Sequence, residues 1–330
     1  MAGGTSSVAD SAARSRWRLV QVGTLVAVVL AITGCGAGFA TPRTSHTSQA
    51  STTTAGQTTT AATTTASVAT TGKPRIIDGT FYSPAVRGTL HYQIALPPGY
   101  ATSGKRYPVL YVLHGLPASA GAYKGVAGYA GRLAATNDPA IVVGAQGARP
   151  GDTDPEWHNW GPGRDWETAT QHDLVSYIDR HYRTVARRSG RAIIGISAGG
   201  YGATLIAIHH PGTYQVIESW SGYFVITDPD GDPLDLGSVE ANADASAHAS
   251  VPTLKRRFAP YGATFFGFYI GTKDPYTNFI ADNKRLDREL TAAGIPHVFR
   301  LYPGAHDGTF WRMHQDQWLD GAVDRLDPPS

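Results

Sequence analysis

From Arg106 onward the chain alternates short β-type runs with segments of helical period, which predicts an α/β fold: a mostly parallel sheet with helices on both faces. Two further observations support that class. A pair of β-type runs over residues 76–83 and 88–95, with Pro84 and Gly88 near the join, precedes the alternation and predicts an antiparallel edge. The apolar run Ala192-Ile193-Ile194 enters Gly195-Ile196-Ser197-Ala198-Gly199-Gly200 and then a helix-like stretch from Ala203 to Ile208, so one strand turns sharply into one helix.

The remaining elements follow in order. Residues 107–113 and 140–143 are continuous apolar runs, as strands buried on both faces require. Residues 168–182 carry Leu174, Val175, Ile178 and Tyr182 at helical spacing, with Glu167 and Asp173 toward the end where the helix dipole favours acids. Strands are expected at 215–219 and 265–270, then a helix over 278–293 ended by Gly294 and Pro296. A last strand at 297–301 and a last helix at 310–326 close the chain, and residues 228–250, rich in Asp, Gly, Ser and Ala, read as an irregular excursion over the site.

The 330 residues divide by composition into three parts, and 42 % apolar content leaves enough for one sizeable core. Residues 1–34 read as an export signal: Arg14, Arg16 and Arg18 precede an apolar run from Leu19 to Ile32, closed by Ile32-Thr33-Gly34-Cys35. The closing four residues resemble the bacterial lipobox, which implies lipidation of Cys35 and a membrane-anchored extracytoplasmic lipoprotein. An ordinary cleaved signal, and so a secreted protein, is the alternative, as is an uncleaved anchor, although the run falls short of the roughly 18 residues a spanning helix needs. Cys35 is the only cysteine, so no disulfide forms within a monomer. In residues 35–72 a Thr-rich stretch, with fourteen Thr among the thirty-two residues 41–72 and no apolar period, is expected to be a disordered tether. Residues 73–330 then form the single folded domain.

Net charge is +2, from 28 basic and 26 acidic residues, and this balance points to no nucleic-acid partner. The histidines show no H-E-x-x-H or equivalent metal spacing. The chemistry lies elsewhere. Gly195-Ile196-Ser197-Ala198-Gly199 is a G-x-S-x-G nucleophile elbow in its strand–turn–helix setting, where a Cβ at Gly195 or Gly199 would collide with backbone. A serine nucleophile needs a base and an acid that orients the base, and α/β-hydrolases supply them in the order Ser, Asp or Glu, His. Ser197, Asp274 just past the strand at 265–270, and His306 just past the last strand fill that order, all at the carboxyl edge of the sheet. Asp307, Asp173 and Asp282 are the alternative orienters. Ala198 supplies one oxyanion N–H; Pro117 has none, so the second comes from Leu116 or Gly115, with Leu116 favoured. His114 is read as a brace for this turn, and His209-His210 as structural.

These motifs, Leu113-His114-Gly115, Gly195 to Gly200, Gly271-Thr272-Lys273-Asp274 and Gly304-Ala305-His306-Asp307 with Trp311, resemble those of the esterase D family. That family includes feruloyl-type esterases, S-formylglutathione hydrolase and cell-wall mycolyltransferases. The resemblance covers roughly residues 79–319 and implies an α/β-hydrolase fold and no cofactor. The mycolyltransferases carry glutamate where this chain has Asp274, and a tryptophan common two residues after the family histidine is Gly308 here.

Trp157, Trp160 and Trp166 in the loop 146–166, together with Trp311, are the candidate substrate-binding residues, suited to sugar rings or aromatic acyl groups; the competing role for the loop tryptophans is a private core under the loop. The leading expectation is a tethered serine carboxylic-ester hydrolase acting on a small-molecule or glycan ester. An acyltransferase to a sugar hydroxyl and a non-catalytic envelope protein are the alternatives.

Overall fold

The computed structural model describes residues 72–152, 155–228 and 230–330. The export signal, Cys35 and all but the last residue of the tether lie outside the described residues. Eight strands form one sheet: β1 (Arg75–Ser83), β2 (Gly88–Leu96), β3 (Val109–Leu113), β4 (Ile141–Ala145), β5 (Arg191–Ile196), β6 (Val216–Trp220), β7 (Phe265–Gly271) and β8 (Val298–Tyr302). Their order across the sheet is β1-β2-β4-β3-β5-β6-β7-β8. The pairs β1–β2 and β2–β4 are antiparallel and every other pair is parallel, which is the α/β class expected.

β3 shows why the parallel strands are apolar throughout. Val109, Tyr111 and Leu113 point into the core on one face, while Leu110 and Val112 point into the core on the other. With a side-chain period of two and a helical layer on each side, every position along the strand is buried.

The described residues form nine α-helices: α1 (Tyr100–Ser103), α2 (Val126–Thr136), α3 (Trp166–Thr168), α4 (Val175–His181), α5 (Ala198–His209), α6 (Val239–Asp244), α7 (Ala247–Phe258), α8 (Thr277–Ala292) and α9 (Gly308–Val323), with a π-helical turn over Ala169–Leu174 joining α3 to α4. α2 and α9 cover one face, through Val126, Ala130 and Leu133 and through Phe310, Trp318 and Leu319. α5, α7 and α8 cover the other, with Ala203 and Ile206, Val251 and Leu254, and Leu286 and Leu290. Every residue of α5 from Ala198 to Ile208 is buried, as a helix apolar on all sides must be.

Two stretches differ from the sequence reading. α2 was not foreseen: Gly128, Gly131 and four alanines dilute its apolar period, and it is held by Val126, Ala130 and Leu133 against the sheet. Residues 228–250 are not wholly irregular, because they contain α6 and the start of α7. The Ser238 hydroxyl caps α6 by accepting from the Ala241 N–H at 3.1 Å.

Candidate active site

The elbow is built by close backbone approach. A Cβ at Gly195 would overlap the Gly199 carbonyl, and one at Gly199 would overlap the Leu113 carbonyl on neighbouring β3. Ser197 itself sits at φ 56°, ψ −122°, outside the regions L-residues prefer, at a cost of about 1–3 kcal/mol. Three hydrogen bonds pin it: its N–H donates to Trp220 O at 2.9 Å, and its carbonyl accepts from Gly200 and Tyr201 at 2.8 and 3.1 Å. The turn thereby lifts the hydroxyl off the end of β5 toward the loops after β7 and β8.

Those loops bring Asp274 and His306 to it. His306 Nε2 lies 2.9 Å from Ser197 Oγ, and His306 Nδ1 lies 2.7 Å from Asp274 Oδ2. A carboxylate only accepts, so Nδ1–H donates to Asp274 and the lone pair of Nε2 faces the serine hydroxyl, which donates. The second carboxylate oxygen accepts from Tyr276 N–H at 3.1 Å, and the Asp274 side chain is fully shielded from solvent. The other aspartates considered as orienters are engaged elsewhere. Asp307 caps α9 by accepting from Thr309 and Phe310 N–H at 2.8 and 2.9 Å. Asp173 accepts from the Ser83 hydroxyl at 2.6 Å, and Asp282 from Phe224 N–H at 2.7 Å.

Ala198 follows Ser197 directly and opens α5, so its N–H has no intrahelical acceptor. Leu116 and Gly115 line the same cavity as Ser197 and His306. Gly115 has no room for a side chain, since a Cβ there would come within 2.9 Å of Ile196 O and Ser197 Cβ. His114 supports this turn from behind: Nδ1–H donates to Gly115 O at 2.9 Å while Nε2 accepts from Gly147 N–H at 3.1 Å. Burial lowers its pKa against the opposing pull of the Gly115 carbonyl, which keeps the ring in the neutral form these two bonds require.

The cavity beside Ser197 holds about 360 Å³ and is walled by Val112, Tyr123, Val126, Tyr129, Ile196 and Trp311. Trp311 therefore lines the same cavity as Ser197 and His306. Trp157 and Trp166 do not: they are 2 % and 1 % exposed and take the alternative role of a core beneath the loop. Trp157 donates its indole N–H to His114 O at 3.2 Å, and so supports the turn that carries Leu116. Trp166 packs in the main core with the Arg149 guanidinium 5.4 Å from its ring. Trp160 is tied within the loop by its bond to Pro155 O at 2.8 Å and does not line the cavity. A loop of this length needs its own buried aromatic area, and sequence alone does not say which way the rings turn. Sequence reasoning missed Tyr129 and Val126, because α2 was not seen. It treated His209-His210 as structural, and both rings bond the buried Glu167 carboxylate, at 2.9 and 2.7 Å.

A sheet with this strand order and a serine, histidine and aspartate joined at its carboxyl edge defines an α/β-hydrolase. The pattern of the Esterase family matches residues 83–317, and the chain belongs to that family. It is 30 % identical over 284 residues to Esterase Rv1288 of Mycobacterium tuberculosis, covering 78 % of this chain and 60 % of that protein. The chain thus spans about 60 % of the length of this relative. Among solved structures, a ferulic acid esterase superposes with a TM-score of 0.64 at 24 % identity, covering 77 % of this chain and 98 % of that one. An S-formylglutathione hydrolase from Staphylococcus aureus superposes with a TM-score of 0.63 at 18 % identity, covering 76 % of this chain and 100 % of that one. These likenesses establish the fold.

Proposed function

We propose that the chain is a serine carboxylic-ester hydrolase in which Ser197 is the nucleophile, His306 the general base and acid, and Asp274 the residue that orients His306. The observation that carries this reading is the unbroken path from Ser197 Oγ through both ring nitrogens of His306 to Asp274 Oδ2, with links of 2.9 and 2.7 Å. As Ser197 Oγ attacks the ester carbonyl, its proton passes to Nε2. The oxyanion is received by the N–H groups of Ala198 and Leu116. Collapse expels the alcohol, which takes the proton back from Nε2. Water, deprotonated at the same nitrogen, then attacks the acyl-enzyme and releases the acid.

The apolar and aromatic walls of the cavity support an acyl group of similar character, and the fold is shared with a protein named a ferulic acid esterase. Among the described residues, Lys124 is the one lysine or arginine on that lining, and no aspartate or glutamate shares it. Neutral or anionic small-molecule and glycan esters therefore suit the cavity better than cationic ones.

The test is turnover of p-nitrophenyl butyrate with a fluorophosphonate label. Wild type hydrolyses the ester and takes the label at Ser197, while Ser197→Ala does neither; undiminished turnover by Ser197→Ala overturns the reading. The sequence Ile32-Thr33-Gly34-Cys35 supports export and attachment to the cell membrane through lipid on Cys35. Metabolic labelling with a lipid precursor should mark the wild type and spare Cys35→Ala, and an unlabelled wild type released as soluble protein rejects the tether.

A further inference from the structure

The turn after β6 carries a second serine with left-handed backbone. Ser221 has φ 52° and is completely buried. Glycine would occupy such a position without strain, so the serine side chain must be needed for something the turn itself does not supply. Its backbone N–H donates to Tyr269 O at 2.7 Å, which fixes the turn against β7. Its hydroxyl accepts from the indole Nε1–H of Trp311 at 3.0 Å.

Trp311 in turn stands edge-to-face against His306, with ring centroids 5.2 Å apart and an interplanar angle of 81°. Tyr276 meets the same imidazole at 5.3 Å and 81°. With Asp274 on Nδ1, these two rings restrict rotation of the imidazole, and any rotation lifts Nε2 off Ser197 Oγ. The position of Trp311 is therefore part of the alignment of the base. An unanchored indole on this cavity wall is free to swing into the space beside Ser197, because Trp311 lines that space.

Resting on the hydrolase reading above, we propose that Ser221 and Trp311 are positioning residues of the reaction: Ser221 is kept in a strained turn so that its hydroxyl anchors Trp311, and Trp311 holds the His306 ring in line with Ser197. The strain at Ser221 then serves catalysis and not the fold.

Steady-state kinetics on p-nitrophenyl butyrate and thermal melting of four variants test this. Ser221→Gly removes the acceptor and relieves the backbone: kcat should fall about ten- to a hundredfold, the range expected for misplaced catalytic groups, with KM within about threefold and a melting temperature at or above that of wild type. Ser221→Ala keeps the strain and loses the acceptor, so its kcat should match that of Ser221→Gly. Trp311→Phe keeps a ring and loses the donor, and its kcat should fall comparably. In Ser221→Ala with Trp311→Phe combined, the loss should not exceed that of the worse single variant, because one bond is removed either way. Wild-type kcat in Ser221→Gly overturns the proposal. So do losses that multiply in the double variant, and so does a loss of kcat that tracks a loss of melting temperature. Should wild type neither turn over the ester nor take a fluorophosphonate, the hydrolase reading fails and this inference falls with it; an active wild type with unaffected variants overturns the anchor alone.

Discussion

β5 and β6 lie side by side and end alike, each followed by a serine with positive φ, 56° at Ser197 and 52° at Ser221. What differs is where the hydroxyl looks. Ser197 leads into α5 and faces a cavity and the lone pair of a histidine, whereas Ser221 is sealed off and faces an indole N–H. The strands differ inside as well: Ile194 on β5 is paired in register with Glu218 on β6, an acid with 0 % exposure. Backbone strain therefore does not by itself mark a reactive residue; the partner of the side chain does. Between Arg191 at its start and the serine that follows its tip β5 is apolar, whereas β6 carries Glu218 and Ser219 within its buried length.

The largest expected effect separates the two tips. Asp274→Asn replaces the carboxylate by an amide whose oxygen is held by Tyr276 N–H and whose NH2 then faces His306 Nδ1; the ring is turned to the wrong tautomer, and kcat on p-nitrophenyl esters should fall about 10⁴-fold with the far-UV circular dichroism unchanged. Asp282→Asn provides the contrast. It alters a second buried histidine, His248, whose ring nitrogens lie 2.7 Å from Asp282 and 2.6 Å from Glu289, both carboxylates. Neither nitrogen faces a hydroxyl, so that variant should keep kcat within a fewfold while losing melting temperature. A large loss of kcat in Asp282→Asn would undo the assignment of roles.

A smaller effect separates the strand interiors. Burial pushes the Glu218 carboxyl up to about 8, against the lowering effect of the Trp220 indole, which donates to it at 3.0 Å. Between the ordinary glutamate range and about 8 the folded chain holds a proton that the unfolded chain has released. Stability from this group is thus greatest at acidic pH, falls as pH rises through that window, and levels off above it. Glu218→Gln should abolish this contribution to the slope, so that unfolding free energies of wild type and variant from denaturant titrations diverge between pH 5 and pH 9 by on the order of a few kcal/mol in favour of the variant. Parallel curves would show that Glu218 is ionised inside the sheet.

The smallest effect tests the shared feature. Ser197→Gly relieves the strained turn and should raise stability by about 1 kcal/mol, visible as a melting shift of a few degrees, while turnover is lost. An unchanged or lower melting temperature would mean that the turn is not strained at Ser197.

How much of this was legible in the sequence follows from the same contrast. The tip of β5 announces itself because the glycines at 195 and 199 are imposed by contact with neighbouring backbone, and Asp274 and His306 stand directly after strands whose apolar runs are plain. Ser221 gave no such signal: its partner Trp311 is 90 residues away, and Trp-Ser-Gly after a strand is ordinary turn composition. For Trp157 and Trp166 the sequence leaves both roles open for a related reason, since proximity of a loop to the site says nothing about which side its rings face. α2 escaped because its small residues carry little periodic signal until the sheet is there to bury them. Packing at a distance, not local pattern, decides each of these.

The ring of His114 touches two loops at once, the turn bearing Leu116 through Gly115 O and the start of the 146–166 segment through Gly147 N–H. The segment and the turn are geared together through one imidazole, with Trp157 bearing on the same turn from below. Insertions or deletions engineered into the outer segment will therefore be transmitted to the turn that bears Leu116 and lines the cavity beside Ser197. Anyone grafting a new specificity loop onto this scaffold has to preserve that hinge pin or rebuild it.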